Sequence, residues 1–386
     1  MTEVVIAGIG QVPVGEHWEI SMRSLAACAM LTACKDAGGL RPQALYVGNF
    51  LGSVVSRQTN LGALLAQNAG LGGIEAFTIE AAGASGAGAF RMGYLAVASG
   101  YVDTALVVGV EKYTDMIGAE LEQAAGMAMD YDYEVMQGLT AASQAALLMQ
   151  RYLYESSTPR AAFGEFALLA HANGANNPNA MYRKAIKPEA YARAEMVSEP
   201  LNLFDIAPYA DGAAAVILSR SDLVQPSELE KMVRVTGSSV VIDRLALHDR
   251  PDPLAFEAAG LSVERACRQA GILPVDVDFF ELSDAYSIFA VLTLEAAGFA
   301  RRGETGRLAQ AGAFGLKGEM PVSTMGGLKA RGNPLAATGV YQVVEAVQQL
   351  RGQAGANQIA GARRALVQSL GGAASTAITH VLERWL

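Results

Sequence analysis

The chain has 386 residues, of which 51% are hydrophobic and 17% charged, and its formal net charge at pH 7 is −9. This length exceeds one typical hydrophobic core and predicts two domains or one duplicated domain. The negative charge argues against nucleic acid and anionic membranes as main partners. No apolar run is long enough to span a bilayer, and no basic stretch followed by an apolar one opens the sequence. We therefore expect a cytoplasmic protein.

The cysteines exclude two kinds of site. Cys28, Cys34 and Cys267 are too few and too scattered for a disulfide framework or a zinc site. Each falls within a helical pattern, which predicts a small buried apolar residue. We expect no metal centre.

An internal repeat organises the chain. Ala33-Cys-Lys-Asp-Ala-Gly38, followed by Leu40–Val47, matches Ala266-Cys-Arg-Gln-Ala-Gly271, followed by Ile272–Phe280. Both copies indicate the end of an amphipathic helix, a glycine after it, a turn with proline and a buried strand. Two similar halves with alternating strands and helices predict an α/β fold of layered sheets and helices.

Two glycine-rich elbows are the most informative local feature. They are Glu80-Ala-Ala-Gly-Ala-Ser-Gly-Ala-Gly-Ala89 and Gly326-Gly-Leu-Lys-Ala-Arg-Gly-Asn-Pro-Leu-Ala-Ala-Thr-Gly339. Each lies where an extended run gives way to a helix, a geometry in which enzymes present a reactive side chain. The first elbow has only Gly83 at its apex, and the second has only Asn333.

After the elbows both halves continue alike. Helices predicted at Ser85–Ser99 and Pro334–Leu350 each lead to a buried strand, at Ala105–Gly109 and Ala365–Ser369. In the C-terminal half a closing antiparallel strand follows almost at once, at Ala374–Leu382.

The N-terminal half contains an insertion. Its closing strand, Ala213–Ser219, is separated from Gly109 by a long segment with helical patterns near Thr140–Tyr154 and Ala161–Asn173. A large insertion beside a site usually forms a cover or a ligand-binding lobe. We predict an N-terminal half (residues 1–113 and 212–225), an inserted loop lobe (114–211) and a C-terminal half (226–386).

Longer motifs complete the pattern, namely Tyr46–Asn49, Ala96–Tyr101, Asp211–Val216, Leu245–Arg250 and Leu282–Tyr286. Together with the duplicated halves and the elbows, they resemble the thiolase superfamily over the whole chain. The branch that the chain resembles most is that of sterol-carrier-protein and archaeal acetoacetyl-CoA thiolases. The resemblance implies the thiolase fold, in which two βαβαβαββ halves form five α-β-α-β-α layers with an inserted loop lobe.

The resemblance also implies a mechanism. In the family, a cysteine in Glu-Ala-Ala-Cys-Ala-Ser-Gly attacks an acyl-CoA thioester, and the histidine of Gly-His-Pro activates it. A histidine in His-Asp-Cys/Ala-Phe assists proton transfer and binds the oxyanion. At these positions this chain has Gly83, Asn333 and Ser283, and Ser283 is expected to fill the space of the missing imidazole. The four histidines map elsewhere, at His17, His171, His248 and His380.

Neighbouring residues receive roles from the same resemblance. Asp284 is expected to accept structural hydrogen bonds. Tyr286 is expected to pack in the core, with a role as acid or donor as the alternative. Asn333 can donate its amide hydrogens to an oxyanion but cannot shuttle protons. The backbone N–H groups of Gly83 and Gly372 can form an oxyanion pocket, because backbone donors do not depend on side chains.

Ligand and assembly also follow from the resemblance. The inserted lobe contacts coenzyme A in the family, so His171, Arg183 and Lys184 are candidates for contacts with its phosphates. A solvated charged surface is the alternative. Lys329 and Arg331 are expected to be structural or to lie at a subunit contact. We expect an acyl-CoA ligand, no covalently bound cofactor, and a homodimer or dimer of dimers.

Three functions remain open. The first is an acyl-CoA-binding, non-thiolytic subunit of a complex with a zinc-ribbon/OB-fold (DUF35-type) partner. The second is a cysteine-independent acyl-CoA carbon–carbon lyase of retro-aldolase type. Relatives of that type have tyrosines at the two histidine positions, so here Tyr286 would have to compensate for Ser283 and Asn333. The third is an acetyl-CoA acetyltransferase, the name that similarity alone would give. We favour the first, because all three reactive groups are missing.

Overall fold

The computed structural model describes residues 2–385, which form an α/β fold. The strands are β1 (Val4–Gln11), β2 (Ala44–Gly48), β3 (Glu75–Ile79), β4 (Thr104–Glu111), β5 (Met196–Ser198), β6 (Leu201–Asn202), β7 (Gly212–Arg220), β8 (Val233–Ile242), β9 (Phe279–Glu281), β10 (Arg364–Gly371) and β11 (Thr376–Arg384). The helices are α1 (Met22–Asp36), α2 (Leu61–Asn68), α3 (Ser85–Ala98), α4 (Ala119–Gly126), α5 (Ala141–Ser156), α6 (Gly164–Gly174), α7 (Pro188–Arg193), α8 (Glu257–Ala270), α9 (Ser287–Ala296), α10 (Thr305–Gln310), α11 (Gly327–Arg331) and α12 (Thr338–Leu350).

The two halves of the repeat form two half-sheets that meet edge to edge. The strand order is β3-β2-β4-β7-β1-β8-β11-β10-β9. Only Val5 and Ile6 of β1 pair across the centre, with Arg234 and Val233 of β8. Strands β2, β3 and β4 are parallel, as are β9 and β10, whereas β7 and β11 are antiparallel closing strands. The predicted duplication is therefore confirmed.

Helices pack on both faces of the half-sheets. Helix α1 covers the outer face of the N-terminal half-sheet and α8 that of the C-terminal one. Helices α3 and α12 lie between the half-sheets and contact each other and strands of both. A Cβ atom on Gly339 would lie 2.4 Å from the nitrogen of Ala87, so glycine permits this close helix contact. The predicted five-layer arrangement is confirmed.

The inserted segment covers one end of the C-terminal half. Helices α4 to α7 and the short β5–β6 hairpin lie between β4 and β7 in the chain. Helices α5 and α6 pack against α9, and α6 also packs against α11 in the second elbow. The segment therefore lies beside the loops that follow β9.

The second elbow contains a short helix, α11, that the sequence patterns do not predict. The carboxylate of Asp284 accepts a hydrogen bond from the N–H of Leu328 in its first turn (2.7 Å). Gly327 has a φ of 51°, and a Cβ atom there would lie 2.3 Å from this carboxylate. A contact between distant segments stabilises the helix, which explains why local patterns miss it.

The prediction that all three cysteines are buried is wrong for Cys28, which is exposed, whereas Cys34 is half-buried and Cys267 buried. The buried face of α1 consists of Met22, Leu25, Ala26, Ala29, Met30 and Ala33. With 3.6 residues per turn, position 28 falls on the opposite face. Among the helices of residues 2–385, none combines the length and the apolar content that crossing a bilayer requires.

Candidate functional site

The two elbows and the loops after β9 and β10 enclose a small cavity of about 90 Å³, here called the elbow cavity. Five of the six positions predicted for the catalytic site line it, namely Gly83, Ser283, Tyr286, Asn333 and Gly372. Most of the remaining wall is apolar and includes Phe50, Ala125, Ala128, Met129, Phe289, Leu335 and Leu370. The duplicated topology thus brings residues that are far apart in sequence to one site.

The residue at position 83 has to be small, because little space is left around its Cα atom. Its φ lies outside the left-handed region, and it is the preceding Ala82 that has a positive φ, of 49°. A Cβ atom on Gly83 would lie 2.7 Å from the carbonyl oxygen of Leu370, closer than atoms normally approach. The first elbow therefore has no room for a side chain at this position unless the backbone shifts.

Gly372 faces the first elbow from the other side of the cavity. Its φ of 56° favours glycine, and a Cβ atom there would lie 2.8 Å from the carbonyl oxygen of Ala128. Within residues 2–385 the N–H groups of Gly83 and Gly372 donate no hydrogen bond to another protein group. Both donors are thus free for a ligand in the elbow cavity.

The hydroxyl of Ser283 is occupied by the neighbouring strand. It donates to the carbonyl oxygen of Gln368 (3.3 Å) and accepts from the N–H of Leu370 (3.2 Å). Ser283 thus links the loop after β9 to β10.

Asp284 does not line the elbow cavity. It is buried, and besides binding Leu328 it lies close to Lys329. Burial raises the pKa of its carboxyl group, while the charge of Lys329 opposes that rise. These contacts join the loop after β9 to helix α11.

Asn333 is held so that its amide nitrogen remains free. Its Oδ1 accepts hydrogen bonds from the N–H of Leu335 (3.2 Å) and the hydroxyl of Thr338 (3.3 Å). Its backbone N–H donates to Pro208 (3.0 Å), and its carbonyl accepts from Tyr113 (2.5 Å). Since Asn333 lines the elbow cavity, its Nδ2 can donate to a ligand there.

A second, larger space of about 450 Å³ lies next to the first, beneath the inserted segment, and is here called the lobe cavity. Of the three predicted coenzyme A contacts, His171 and Lys184 line it, and the exposed Arg183 does not. His171 is only 6% exposed, and its Nδ1 has no hydrogen-bond partner within the described chain. Burial lowers the pKa of His171, so the ring is neutral at pH 7.

Lys329 and Arg331 are buried at the base of the second elbow. The ammonium group of Lys329 donates to the carbonyl oxygen of Asp205 (2.5 Å), and burial lowers its pKa to about 8. Arg331 forms a buried ion pair with Glu345 (2.6 Å) and lies over the ring of Tyr341. Lys329 also lines the lobe cavity, whereas the contacts of Arg331 hold α11 against α12.

Two tyrosines separate the cavities. Tyr209 and Tyr286 line both spaces, and Tyr286 packs edge-on against Phe289 at 4.9 Å between ring centres. Burial raises the pKa of both phenols, so both are neutral at physiological pH. Sequence reasoning identified Tyr286 but missed Tyr209. The main chain at Tyr209 pairs with Asn333, and no local sequence pattern predicts a contact between residues so far apart in the chain.

The chemical capacity of the elbow cavity follows from these contacts. Its donors are the two glycine N–H groups and the Asn333 amide, which suit a developing oxyanion. No cysteine or histidine is among the residues that line it. The site can therefore polarise a thioester carbonyl but offers neither a thiol for covalent transfer nor an imidazole to activate one.

Two family models match the chain. "Thiolase, N-terminal domain" covers residues 4–222, and "Thiolase C-terminal domain-like" covers residues 239–384. The chain belongs to the thiolase family. This confirms the resemblance seen in the sequence.

Individual relatives match the chain over nearly their whole length. The chain is 38% identical to an acetyl-CoA acetyltransferase of Methanothermobacter thermautotrophicus, over 100% of both chains. It is 28% identical to the 17-hydroxy-3-oxo-4-pregnene-20-carboxyl-CoA lyase of Mycobacterium tuberculosis, over 95% of each. Among solved structures, that of the Ltp2-ChsH2(DUF35) aldolase superposes with a TM-score of 0.86 at 24% identity, covering 99% of this chain and 98% of the other.

Proposed function

We propose that this thiolase-family protein binds an acyl-CoA thioester and acts without a covalent acyl-enzyme, as one subunit of a complex with a zinc-ribbon/OB-fold partner. The observation that carries the proposal is the elbow cavity. It retains free donors at Gly83, Gly372 and Asn333, yet no thiol or imidazole lines it. An open cavity with three donors that no protein group occupies is able to bind a carbonyl oxygen of a ligand.

The inserted segment supports the same ligand. The lobe cavity adjoins the elbow cavity and contains His171, Lys184 and Lys329 in a largely apolar wall. An apolar cleft with a few polar groups suits an extended ligand such as the pantetheine arm of coenzyme A. Lys184 is exposed at this cavity, where it can meet a phosphate.

The partner is proposed by analogy with a solved complex, the Ltp2-ChsH2(DUF35) aldolase, whose name joins a protein of this fold to a DUF35 protein. The full-length match and the TM-score of 0.86 support an equivalent assembly here. At 24% identity this support comes from the fold alone.

A carbon–carbon lyase is the second candidate, and one observation favours it. The phenols of Tyr209 and Tyr286 line the elbow cavity together with Gly83, Asn333 and Gly372, and both are protonated at neutral pH. A retro-aldol cleavage needs an oxyanion site and a proton-transfer group, with no nucleophile. A relative at 28% identity is named a carboxyl-CoA lyase and another structure an aldolase, which agrees with this chemistry. We rank acetyl-CoA acetyltransferase activity last.

The proposal is tested by measuring binding and acylation separately. Calorimetry with acetyl-CoA is expected to detect binding, and intact mass spectrometry after incubation is expected to detect no added acetyl group. Gly372→Ala should weaken binding, because its Cβ atom meets Ala128 and strains the backbone. Gly72→Ala is the matched control, since a Cβ atom there meets open space.

Co-expression with a zinc-ribbon/OB-fold protein from the same genome tests the assembly. Co-purification in a fixed ratio is the expected result. An acetyl adduct on any side chain, or no detectable affinity for acyl-CoA thioesters, would contradict the proposed function. Failure to associate with such a partner would contradict the assembly alone.

A further inference from the structure

A buried glutamine lines the elbow cavity beside its apolar wall. Gln144, near the start of α5, is only 3% exposed and is one of the residues that enclose this space. Burying an amide costs free energy unless its polar atoms find partners. The contacts of Gln144 therefore show which of its atoms the protein itself satisfies.

The protein satisfies the side-chain nitrogen of Gln144 and leaves the oxygen free. The Nε2 atom donates to Oε1 of Glu134 (3.1 Å), which is also buried. The same oxygen accepts the N–H of Leu247 (3.0 Å), and the other oxygen of Glu134 accepts the N–H of Asp130 (3.0 Å). Since a carboxylate only accepts hydrogen bonds, these contacts fix which end of the amide faces Glu134. Within residues 2–385 no donor reaches Oε1 of Gln144.

Gln144 thus brings an acceptor to a cavity in which three free donors also lie. The N–H groups of Gly83 and Gly372 and the amide nitrogen of Asn333 suit the carbonyl oxygen of a thioester. A ligand bound through that carbonyl meets Gln144 with another part of its acyl group. A buried amide oxygen is satisfied by a ligand group that donates, such as a hydroxyl.

The size of the elbow cavity limits the acyl group to a few carbon atoms. The cavity has a volume of about 90 Å³. An apolar cavity of about 150 Å³ can hold one benzene molecule. Met129 and Phe289 in the wall are buried, and Phe289 packs against the buried Phe256 at 5.5 Å between ring centres. The lobe cavity offers no further room, because the pantetheine arm occupies it in the proposed function.

We propose that the elbow cavity selects short hydroxyacyl-CoA thioesters and that Gln144 is the specificity-determining residue, which accepts the hydrogen bond of their hydroxyl group. The inference rests on the proposed function, because it names the acyl group of the thioester that binds there. The three donors bind the thioester carbonyl, the apolar wall contacts the carbon chain, and Gln144 binds a hydroxyl on the second or third carbon. Because carbonyl and hydroxyl are held at separate fixed points, the site also distinguishes the two enantiomers of such an acyl group.

The test compares acyl groups that differ by one hydroxyl. Calorimetry measures the affinity of the full chain for butyryl-CoA and for the separate enantiomers of 2- and 3-hydroxybutyryl-CoA. We expect one hydroxylated thioester to bind about tenfold more tightly than butyryl-CoA, the size of one hydrogen bond to a buried acceptor. Benzoyl-CoA should bind more weakly than butyryl-CoA, because its ring is too large for the cavity.

Gln144→Met keeps the approximate size of the side chain and removes the acceptor. The preference for the hydroxylated thioester should fall to about twofold or less, while butyryl-CoA binds as before. Gln349→Met is the matched control, because Gln349 is a buried glutamine of α12 that lines neither cavity. Its side chain bonds the backbone of Asn357 and Ile359. The control should lower stability and leave the preference unchanged.

The wild-type protein alone can decide against the proposal. Equal affinities for butyryl-CoA and all the hydroxybutyryl-CoA thioesters would overturn it. An unchanged preference in Gln144→Met would overturn the role of Gln144, and benzoyl-CoA binding more tightly than butyryl-CoA would overturn the size limit. In each of these cases the binding of acyl-CoA itself stands. Absence of affinity for every thioester would instead contradict the proposed function.

Discussion

Gly83 lies at the position where the resemblance to thiolases implies a nucleophile. The atoms around it are packed too closely to admit a side chain. The carbonyl oxygen of Leu370 occupies the place next to the missing side chain. The neighbouring Ser283 binds the backbone just before that carbonyl, at the carbonyl oxygen of Gln368 and the N–H of Leu370. The packing at this position therefore fits glycine and leaves no space for a cysteine side chain.

We predict that Gly83→Cys does not restore acyl transfer. The new Cβ atom would lie 2.7 Å from the Leu370 carbonyl, and no histidine lines the elbow cavity to activate a thiol. Overpacking of this kind costs about 1–3 kcal/mol of unfolding free energy. Denaturant unfolding measures that loss, and intact mass after incubation with acetyl-CoA measures acylation. Gly83→Ala should be destabilised to a similar extent, and an acetyl adduct on the introduced cysteine would contradict the prediction.

At the scale of single elements, strand β9 ends on a buried carboxyl group, that of Glu281. Glu281 is fully buried and accepts hydrogen bonds from the N–H (3.0 Å) and hydroxyl of Thr324. Burial raises the pKa of Glu281 to about 8, and the nearby Glu345 adds to the rise. The native protein therefore holds a proton at neutral pH that the unfolded chain has released.

This proton makes stability depend on pH. The folded pKa of Glu281, about 8, lies above the ordinary value of 4.5, so its contribution is complete below pH 4.5 and is lost as pH rises towards 8. We expect the unfolding free energy of wild type to fall between pH 5 and pH 8. Glu281→Gln, which stays neutral, should reduce this slope. Part of the slope should remain in this variant, because burial also raises the pKa of Glu111 to about 8.

Denaturant titrations at several pH values between 5 and 8 provide the measurement. Glu228→Gln is a suitable control, because Glu228 is an exposed residue paired only with Lys231 in a surface ion pair. It should leave the slope unchanged. Identical slopes in wild type and Glu281→Gln would show that Glu281 is already ionised in the native protein.

At the scale of the whole molecule, the nine-stranded sheet ends on β3. This strand is only partly covered, and the side chain of Phe77 is 58% exposed. Met92 and Leu95 on the adjoining α3 are also exposed, at 44% and 40%. An open strand edge with apolar neighbours is a surface that proteins normally cover. The homodimer expected from the family would cover it by pairing two copies of β3.

We therefore predict that Phe77→Asp converts a dimer into a monomer. Two like charges at the symmetric edge would repel each other, and an apolar contact would be lost. Light scattering coupled to size exclusion should give a mass near one chain, 40.4 kDa, for the variant and twice that for wild type. Tyr154→Asp changes an exposed aromatic residue on α5 and should not alter the mass. A dimeric Phe77→Asp protein would contradict this interface.

Local patterns in the sequence determined the α/β class and the duplication, and the family resemblance added the five layers. The repeat, the helices after the elbows, the buried strands and the inserted helices all depend on periodicity and on glycine and proline positions, which act over a few residues. The resemblance to the thiolase superfamily, rather than periodicity, identified Gly83, Ser283, Tyr286, Asn333 and Gly372 as site positions. The symmetry of the fold then brings them to one cavity.

Only the tertiary structure decided what surrounds those residues. It separated Asp284 from the wall of the elbow cavity, left Arg183 outside the lobe cavity, and placed Tyr209 in the wall of both cavities and Glu122 in that of the lobe cavity. Glu122 and Tyr209 belong to the inserted segment, whose path across the C-terminal half is set by contacts with α9 and α11. Such contacts join residues far apart in the chain, and their geometry depends on side-chain packing that no short sequence window contains.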